Sequence, residues 1–403
     1  MPDFIHRTCA TSMPQPLHTL DIETAPDPRA AIIVMNGLGA DATDFEPFAR
    51  EIDLAAVGPV RWVFPNAPSI PVTINGGYVM PAWYDIRPDR ADEDEAGLRR
   101  LEEGGLPLTI TPYWMRLMTG EGPQGPLRRQ LVPSALEWEG ASGERSDPLG
   151  EEDLKAAPSL VHRYPDRALL WVTDRCASYC RFCTRKRLVG QGPTPTESDV
   201  GEGIDYIERT PAIRDVVLSG GDALLLEDDK LESLLARLRG ISHVELIRLA
   251  TRLVAFAPMR ITRQLLSALK PFQPVYFMLH FNHPKELTRD VEQALGRLAD
   301  AGFPLMNQTV LLKGINDDVT TLETLFRGLT RMRCKPYYLH QCDAILGAGH
   351  FRTTLEEGMA LMDGLRGRVS GLALPTYVVD VPGGKGKVPL ARDPRVVGDD
   401  GLV

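Results

Sequence analysis

The stretch DRCASYCRFCTRKR, residues 174–187, carries three cysteines, Cys176, Cys180 and Cys183, within eight residues. A disulfide uses two cysteines, and a structural zinc ion takes four ligands. Three thiolates suit a four-iron cluster, because one iron then lacks a protein ligand and can bind the amino and carboxylate groups of a small molecule. Structural zinc is the alternative, but it needs a fourth ligand, and the nearest histidine in the sequence is His162.

The composition is that of a globular chain, with 43% apolar and 25% charged residues among 403. The net charge of −9 argues against general nucleic-acid binding, which needs a basic surface. No apolar run approaches the ~20 residues of a membrane-spanning helix, and the N-terminus lacks a secretory signal. We therefore expect a cytoplasmic protein with no membrane partner, and we expect Cys9, Cys334 and Cys342 to be free thiols.

From about residue 168 the sequence alternates between short apolar strands and amphipathic helices. The predicted strands are 168–174, 215–220, 244–251, 275–281, 304–312, 336–343 and 373–380, and the predicted helices are 196–209, 228–239, 261–270, 284–301, 317–332 and 353–367. This alternation predicts an α/β fold with a parallel sheet, closed or partly closed into a TIM-like barrel. Active sites of such barrels lie at the C-terminal ends of the strands, where the cysteine loop, SGGD (219–222), QCD (341–343) and DVPGGKGK (380–387) fall.

The N-terminal region has a different organisation. Its predicted strands, 30–35 and 60–68, are those of an incomplete α/β domain. Two polar seams, at 86–105 and 137–153, are predicted linkers or surface loops. We therefore predict three regions: a fragment at 1–97, a lead-in segment and linker at 98–160, and a barrel at 161–403.

The segment DVPGGKGK surrounds two lysines with glycines. Glycine permits close approach to the backbone, and a lysine in such a loop can form a Schiff base with pyridoxal phosphate. A phosphate-binding loop and a plain turn are the alternatives. Short glycine–lysine loops are common, so that the segment alone favours these alternatives.

Taken together, the motifs resemble a known family. The cysteine spacing matches the CxxxCxxC signature of the radical S-adenosylmethionine enzymes. HRYPDR (162–167), SGGD, HFNHP (280–284), KPYYLHQCD (335–343) and VVDVPGGKGK (378–387) follow in the order and spacing of lysine 2,3-aminomutase. The resemblance extends from about residue 108 to the C-terminus, and it implies a partial (β/α)6 barrel of the radical S-adenosylmethionine type.

The resemblance also implies how the first two cofactors are held. Cys176, Cys180 and Cys183 are expected to ligate a 4Fe–4S cluster, whose open iron chelates S-adenosylmethionine. The backbone of the SGGD segment is expected to face the amino end of that cofactor, and its residues are Ser219, Gly220, Gly221 and Asp222.

For the third cofactor, the resemblance identifies Lys387 as the lysine that carries pyridoxal phosphate and acts in catalysis. Lys385 stands where the family usually has glycine. Arg163, Tyr164 and Arg167 are expected to hold the cofactor phosphate, a task that suits the planar fork of arginine. Without the family context, ordinary surface arginines would be an equal alternative.

The resemblance further implies a basic amino acid as substrate. Arg185 matches the residue that binds the α-carboxylate, and Asp343 and Asp380 match the pair that receives the ε-ammonium of lysine. Two carboxylates around one buried ammonium attract it strongly at low dielectric, although either aspartate would alternatively cap a strand end. The implied reaction moves the amino group between the α- and β-carbons, interconverting L-lysine and β-lysine, with arginine or another basic amino acid as the alternative substrate.

Partners follow from the same resemblance. We expect an electron donor such as flavodoxin or ferredoxin, and a homo-oligomer stays open. Better-known members have a zinc site built from a mid-chain cysteine and a C-terminal trio. We do not expect zinc here, because Asp318 stands at the mid-chain position and no cysteine follows Cys342.

The N-terminal segments IIVMNGLGADATDF (32–45) and VRWVFPNAP (60–68) resemble the start of an α/β-hydrolase of the carboxylesterase and phospholipase type. Asn36 stands where that family usually has histidine. The GxSxG nucleophile elbow is absent from the sequence, so that we expect no esterase activity. A serine esterase and a non-catalytic metal-binding protein are the function classes weighed against the aminomutase.

Overall fold

A computed structural model describes residues 18–28, 30–35, 39–52, 58–82, 106–190, 192–381 and 386–391. By its internal contacts the chain divides into two units, Met1–Glu95 and Ala96–Val403. Cys9, Asn36 and Lys385 lie outside the described residues.

The first unit contains a small three-stranded sheet and a separate hairpin. Its elements are β1 (Thr19–Glu23), β2 (Ala30–Ile33), α1 (Phe48–Glu51), β3 (Val60–Pro65), β4 (Ser69–Val72) and β5 (Tyr78–Pro81). The central strand β3 runs antiparallel to β1 and parallel to β2, and β4 pairs with β5. Because successive side chains of a strand point to opposite faces, Val60, Trp62 and Phe64 are buried together.

The second unit is built on a sheet whose ten described strands follow one another in chain order. They are β6 (Lys155–Ala157), β7 (Leu160–Tyr164), β8 (Arg167–Thr173), β9 (Asp215–Gly220), β10 (Leu246–Thr251), β11 (Val275–Leu279), β12 (Leu305–Leu311), β13 (Lys335–Gln341), β14 (Thr376–Val381) and β15 (Gly386–Pro389). The strands β8 to β14 are all parallel, and antiparallel β7 and β15 flank them. Since β6 and β15 are the outer strands, this described sheet forms a partial barrel.

Amphipathic helices accompany the parallel strands. The described helices of this unit are α2 (Pro112–Met118), α3 (Pro126–Leu131), α4 (Glu197–Glu208), α5 (Asp228–Arg239), α6 (Leu253–Phe256), α7 (Arg263–Leu269), α8 (Arg289–Asp300), α9 (Val319–Arg331) and α10 (Leu355–Leu365). The apolar stripes of α8 and α9 are buried as predicted; their members are Val291, Leu295, Leu298, Leu322, Leu325, Phe326 and Leu329. These stripes join the core between the helices and the sheet.

Two details differ from the sequence pattern. The predicted helix 284–301 is interrupted, because the Thr288 hydroxyl accepts from the Val291 N–H at 3.2 Å and caps a new helix there. The short antiparallel strands β6, β7 and β15 were not predicted. As a result, Lys387 lies in a strand rather than in a loop.

Candidate active site

A cavity of ≈ 290 Å³ opens at the C-terminal ends of the parallel strands. Its wall includes Cys176, Cys180 and Cys183, from the loop that follows β8. Lys387 of β15 lines the same cavity. The three thiols and the candidate cofactor lysine, which are far apart in the sequence, therefore line one cavity.

A buried ion pair fixes the cysteine loop. Arg181 donates to Glu137 through Nε at 2.8 Å and Nη2 at 2.7 Å, and to the Leu106 carbonyl through Nη1 at 2.8 Å. Both charged side chains are 1% exposed. The interpretation of 137–153 as a linker or surface loop is therefore wrong at Glu137, whose side chain is buried against Arg181 of the cysteine loop.

The three cysteine thiols are free and partly buried. Burial raises the pKa of all three, and together with the neighbouring Cys180 it raises the pKa of Cys183 to about 11. A thiolate here needs a positive partner such as iron. Among the described residues, no three His, Cys, Asp or Glu side chains converge on a point that could hold a single metal ion. The three thiols line one cavity wall, and they would be the protein ligands of a 4Fe–4S cluster bound there.

The SGGD segment packs directly against the cysteine loop. Gly220 has a φ of 136°, and a Cβ on Gly221 would lie 2.0 Å from the Arg175 carbonyl oxygen. The Gly221 N–H donates to the Thr173 carbonyl at 2.6 Å, and the Asp222 N–H donates to the Arg175 carbonyl at 2.8 Å. The two glycines are therefore required for close contact between these backbones.

The carboxylate of Asp222 has a structural task. It accepts hydrogen bonds from the Thr251 hydroxyl and the Arg252 N–H, both at 2.7 Å, and from the Leu224 N–H at 3.1 Å. Burial raises the pKa of this carboxyl. These bonds join the ends of β9 and β10, so that the Asp222 carboxylate is occupied within the protein and holds the shape of the SGGD segment, whose four residues line the cavity.

At the other end of the cavity Lys387 pairs with Asp380. Lys387 Nζ lies 3.0 Å from Asp380 Oδ2, and Arg163 Nη1 donates to Asp380 Oδ1 at 3.0 Å. Burial alone would raise the pKa of Asp380, but the positive charges of Lys387 and Arg163 outweigh it and hold the pKa below its ordinary value. Asp380 is therefore an ionised carboxylate.

Asp343 lines the same cavity but has a different electrostatic environment. Burial, with the negative charge of Asp380 adding to it, raises the pKa of Asp343 to about 7. His340 Nδ1 lies 3.9 Å from Asp380 Oδ2, and burial together with the charge of Lys387 lowers the pKa of His340 to about 4. The two aspartates thus line one cavity with different protonation behaviour, Asp380 ionised and Asp343 titrating near neutrality.

A second cavity of ≈ 240 Å³ has Lys387, Arg185 and Ser219 in its wall as well. The residues expected to hold a phosphate, Arg163, Tyr164 and Arg167, all line it. The Tyr164 ring centre lies 5.5 Å from Arg163 Cζ and 4.7 Å from Arg167 Cζ. Arg163 Nε is buried and has no hydrogen-bond partner among the described residues. A basic, partly unsatisfied wall beside Lys387 fits a phosphate-bearing cofactor bound to that lysine.

Arg185 is held by a residue that the sequence did not single out. Its Nε and Nη2 donate to the two oxygens of Glu151 at 2.9 and 2.6 Å, and its Nη1 donates to the Ser219 hydroxyl at 3.2 Å. Burial would raise the pKa of Glu151, but the charge of Arg185 outweighs it and the pKa is lowered. Glu151 lies in the predicted linker 137–153 and is 7% exposed, so that no local sequence signal marked it.

His280 and His283 follow β11, whereas Asn307 and Gln308 lie within β12, and all four make hydrogen bonds within the protein. The His283 side chain caps Pro284–Glu286, and Asn307 bonds the backbone of Phe281. His280 bonds Asn282 at 3.0 Å, and Gln308 bonds His340 at 3.1 Å. His280 and Gln308 also line the first cavity.

The parallel barrel, the cysteine loop after its first parallel strand and the glycine pair after its second define an enzyme of the radical S-adenosylmethionine type. The family model described as Radical SAM superfamily matches residues 172–325, and the model described as Lysine-2,3-aminomutase matches residues 362–396. The model described as Phospholipase/Carboxylesterase matches residues 19–103.

The chain belongs to the lysine 2,3-aminomutase family. The L-lysine 2,3-aminomutase of Acetoanaerobium sticklandii is 47% identical over 299 residues, which cover 74% of this chain and 72% of that protein. The L-lysine 2,3-aminomutase of Clostridium subterminale is 46% identical with the same coverage. The glutamate 2,3-aminomutase of Clostridioides difficile is 44% identical over 70% of this chain and 67% of that protein.

These findings confirm the predicted family, the partial barrel preceded by a hydrolase-like region, and the assignment as an enzyme of the isomerase class. The predicted cofactors, a 4Fe–4S cluster, S-adenosylmethionine and pyridoxal phosphate, are those of this family. None of the helices within the described ranges has the length and apolar character to span a bilayer.

Proposed function

We propose that this chain interconverts L-lysine and β-lysine by moving the amino group between the α- and β-carbons. The observation that carries the proposal is the single cavity whose wall contains Cys176, Cys180 and Cys183 and also Lys387. A cluster held by the cysteines and an amino acid held through Lys387 would face the same space. We assign the activity to the barrel region at 161–403, with Glu151 contributed by the segment before it.

The residues present match the three cofactors of the family. The cysteine trio holds the cluster, the SGGD backbone faces S-adenosylmethionine, and Lys387 with Arg163, Tyr164 and Arg167 holds pyridoxal phosphate. When bound, these groups supply one-electron chemistry for hydrogen abstraction and a covalent hold on the migrating amino group. The chain itself positions the reacting parts and excludes water.

Two charged ends of the site support a basic amino acid as substrate. Arg185 offers a guanidinium to the α-carboxylate, and Asp343 and Asp380 offer carboxylates to the ε-ammonium. The side chain of glutamate would bring a third carboxylate next to this pair, which is unfavourable at low dielectric. The identities of 47% and 44% to lysine and glutamate aminomutases do not separate the two substrates, but the acidic pair does.

The test is product analysis under anaerobic conditions. Protein loaded with iron, sulfide and pyridoxal phosphate is incubated with S-adenosylmethionine, dithionite and either lysine, arginine or glutamate. We expect β-lysine from lysine and no β-amino acid from glutamate. A Cys180→Ala variant should form none. A fully loaded protein that turns over arginine but not lysine would correct the substrate, and one that turns over neither would overturn the proposal.

We also propose a cytoplasmic location and an electron donor such as flavodoxin or ferredoxin, and we leave the formation of a homo-oligomer open. The five described cysteines are all free thiols, and cluster assembly requires reduced thiols, which supports a reducing compartment. Cross-linking to a reduced flavodoxin, which should be lost when the cluster is absent, tests the donor. Sedimentation of the loaded protein tests the oligomer.

A further inference from the structure

Arg252 contacts one of the three thiols directly. The residue follows β10 immediately, and its Nη1 donates to Cys180 Sγ at 2.8 Å. It is 6% exposed, and it lines the same cavity as the cysteines. No role for this arginine follows from the sequence of 250–260.

The guanidinium of Arg252 is held rigidly. Its Nη2 donates to Gln130 Oε1 and lies 3.4 Å from Glu286 Oε2. Its plane is surrounded by the rings of Phe256, Trp114 and Phe182, whose centres lie 4.9, 5.5 and 5.6 Å from Arg252 Cζ. A planar fork fixed in this way loses little further entropy when it donates a hydrogen bond. Arg252 is therefore a preorganised donor rather than a mobile surface charge.

Burying a guanidinium is costly, and its partners leave part of that cost uncompensated. Arg252 Nε is buried with no hydrogen-bond partner among the described residues. Glu286, the nearby carboxylate, is also occupied by the N–H groups of Asn282 and His283 at 3.1 and 2.9 Å. An electron-rich sulfur beside Arg252 would give this buried cation a further partner.

A hydrogen bond and a positive charge at a ligating sulfur stabilise the reduced, more negative state of an iron-sulfur cluster. We propose that Arg252 is a positioning residue that raises the reduction potential of the cluster held by Cys176, Cys180 and Cys183, through its bond to the Cys180 sulfur. One electron from a low-potential donor then reduces the cluster more readily. This inference rests on the cluster ligation proposed above, but not on the identity of the amino acid substrate.

The test compares the anaerobically reconstituted full chain with its Arg252→Met and Arg252→Lys variants. Methionine keeps the apolar packing against the three aromatic rings but has no hydrogen-bond donor and no charge. Lysine keeps the positive charge but lacks the planar guanidinium. We expect the reduction potential of the cluster in Arg252→Met, measured by a redox titration followed by EPR, to be about 59 mV lower than in the parent. This shift corresponds to a tenfold change in the one-electron equilibrium constant. The cluster potential of Arg252→Lys should lie between those of the parent and Arg252→Met. The iron and sulfide contents of both variants should equal those of the parent.

The matched control is Arg297→Met, which removes a guanidinium that donates to the Ile261 carbonyl at 2.9 Å. Its cluster potential should equal that of the parent chain. An unchanged potential in iron-replete Arg252→Met would overturn the proposal. A parent chain that binds no cluster would instead contradict the ligation by the cysteine trio, so that the two failures are distinguishable.

A second measurement does not require Arg252→Met to fold. The parent and Arg252→Lys are both grown with arginine labelled with ¹⁵N at its guanidino nitrogens. Pulsed EPR of the reduced parent cluster should show a ¹⁵N coupling that is absent from Arg252→Lys. Identical spectra from the two proteins would mean that Arg252 makes no bond to the cluster ligand, and the proposal would be wrong.

Discussion

Asp380 and Lys387 are direct register partners across β14 and β15, and Lys387 Nζ lies 3.0 Å from Asp380 Oδ2. Partner residues of an antiparallel pair lie on the same face of the sheet. The hairpin therefore delivers an amine and a carboxylate together into the cavity that contains the three thiols. A lysine on a strand is also positioned more precisely than one on a free loop, which suits the proposed role of Lys387 in holding pyridoxal phosphate.

Replacement of Lys387 by alanine should separate the two cofactor sites. We expect Lys387→Ala to lose the visible absorbance of covalently bound pyridoxal phosphate and its aminomutase activity. Its iron and sulfide contents should stay at the parent level, because the cysteine loop is held by Arg181 and Glu137 instead. Absorbance spectra and metal analysis check both expectations.

The control for this variant is Lys335→Ala, which removes an amine bonded to the Pro336 and Leu374 carbonyls at 2.8 and 2.9 Å. It should keep the pyridoxal absorbance. Retention of the covalent cofactor by Lys387→Ala would show that another lysine carries it.

Asp343 should give lysine binding a pH dependence near neutrality. Its pKa is raised to about 7 by burial and by Asp380, so that it is protonated below that pH and ionised above it. The substrate ammonium is attracted only to the ionised form. We therefore expect the KM for lysine to fall as the pH rises through about 7, by up to about tenfold per unit on the acid side.

The variant Asp343→Asn removes this titrating group. Its KM for lysine should be higher than that of the parent at about pH 8, by roughly 10- to 100-fold, which corresponds to the ~1.5–3 kcal/mol of a lost charged hydrogen bond. The KM of Asp343→Asn should also stay constant as the pH rises through about 7. If the KM of the variant still fell with rising pH, the dependence would belong to another group. The charged neighbours of Asp343 are Asp380, Lys387, Arg163 and Arg352.

Local sequence pattern was sufficient where an element is long and amphipathic. The strand Asp215–Gly220 and the helix Asp228–Arg239 have the boundaries predicted for them, because apolar spacing and flanking polar residues define both locally. The four-residue strand Gly386–Pro389 was not predictable in this way. It forms because β14 offers an edge to pair with, and that pairing is a tertiary property.

The same distinction applies to the site. The cysteines and Lys387 belong to compact motifs that a sequence displays. Glu151 and Arg252 act through side chains that are 34 and 72 positions away, at Arg185 and Cys180 respectively. No periodicity or spacing encodes such contacts, and only the folded arrangement of the loops reveals them.

Glu151 should control the geometry with which Arg185 meets the substrate. Its two oxygens hold the Nε and Nη2 edge of the guanidinium, which leaves Nη1 toward Ser219 and the cavity. We expect Glu151→Gln to raise the KM for lysine about tenfold, consistent with the loss of a charge-assisted bond worth ~1.5 kcal/mol. The kcat should change less, because the Glu151 side chain bonds Arg185 and not the cysteines or Lys387.

Steady-state kinetics with the adjacent variant Glu152→Gln provide the control. Glu152 is about half exposed and lies 3.3 Å from Arg187, so that its replacement should leave the KM within twofold of the parent, as for surface pairs worth ~0–1 kcal/mol. A KM that fell in Glu151→Gln would mean that Glu151 competes with the substrate carboxylate for Arg185 instead of positioning that arginine.

Gly221 should be intolerant of any side chain, because the cysteine loop occupies the space. A Cβ there would lie 2.0 Å from the Arg175 carbonyl oxygen and 2.7 Å from the Arg175 nitrogen, and both are backbone atoms that cannot rotate away. Gly221→Ala should therefore displace the loop and reduce iron loading several-fold, with a loss of stability of about 1–3 kcal/mol typical of overpacking. Gly371→Ala, whose Cβ would meet nothing within 4 Å, should load iron as the parent does. Full iron loading by Gly221→Ala would show that the cysteine loop does not depend on this contact, and the tight packing of the two backbones would then have no bearing on cluster binding.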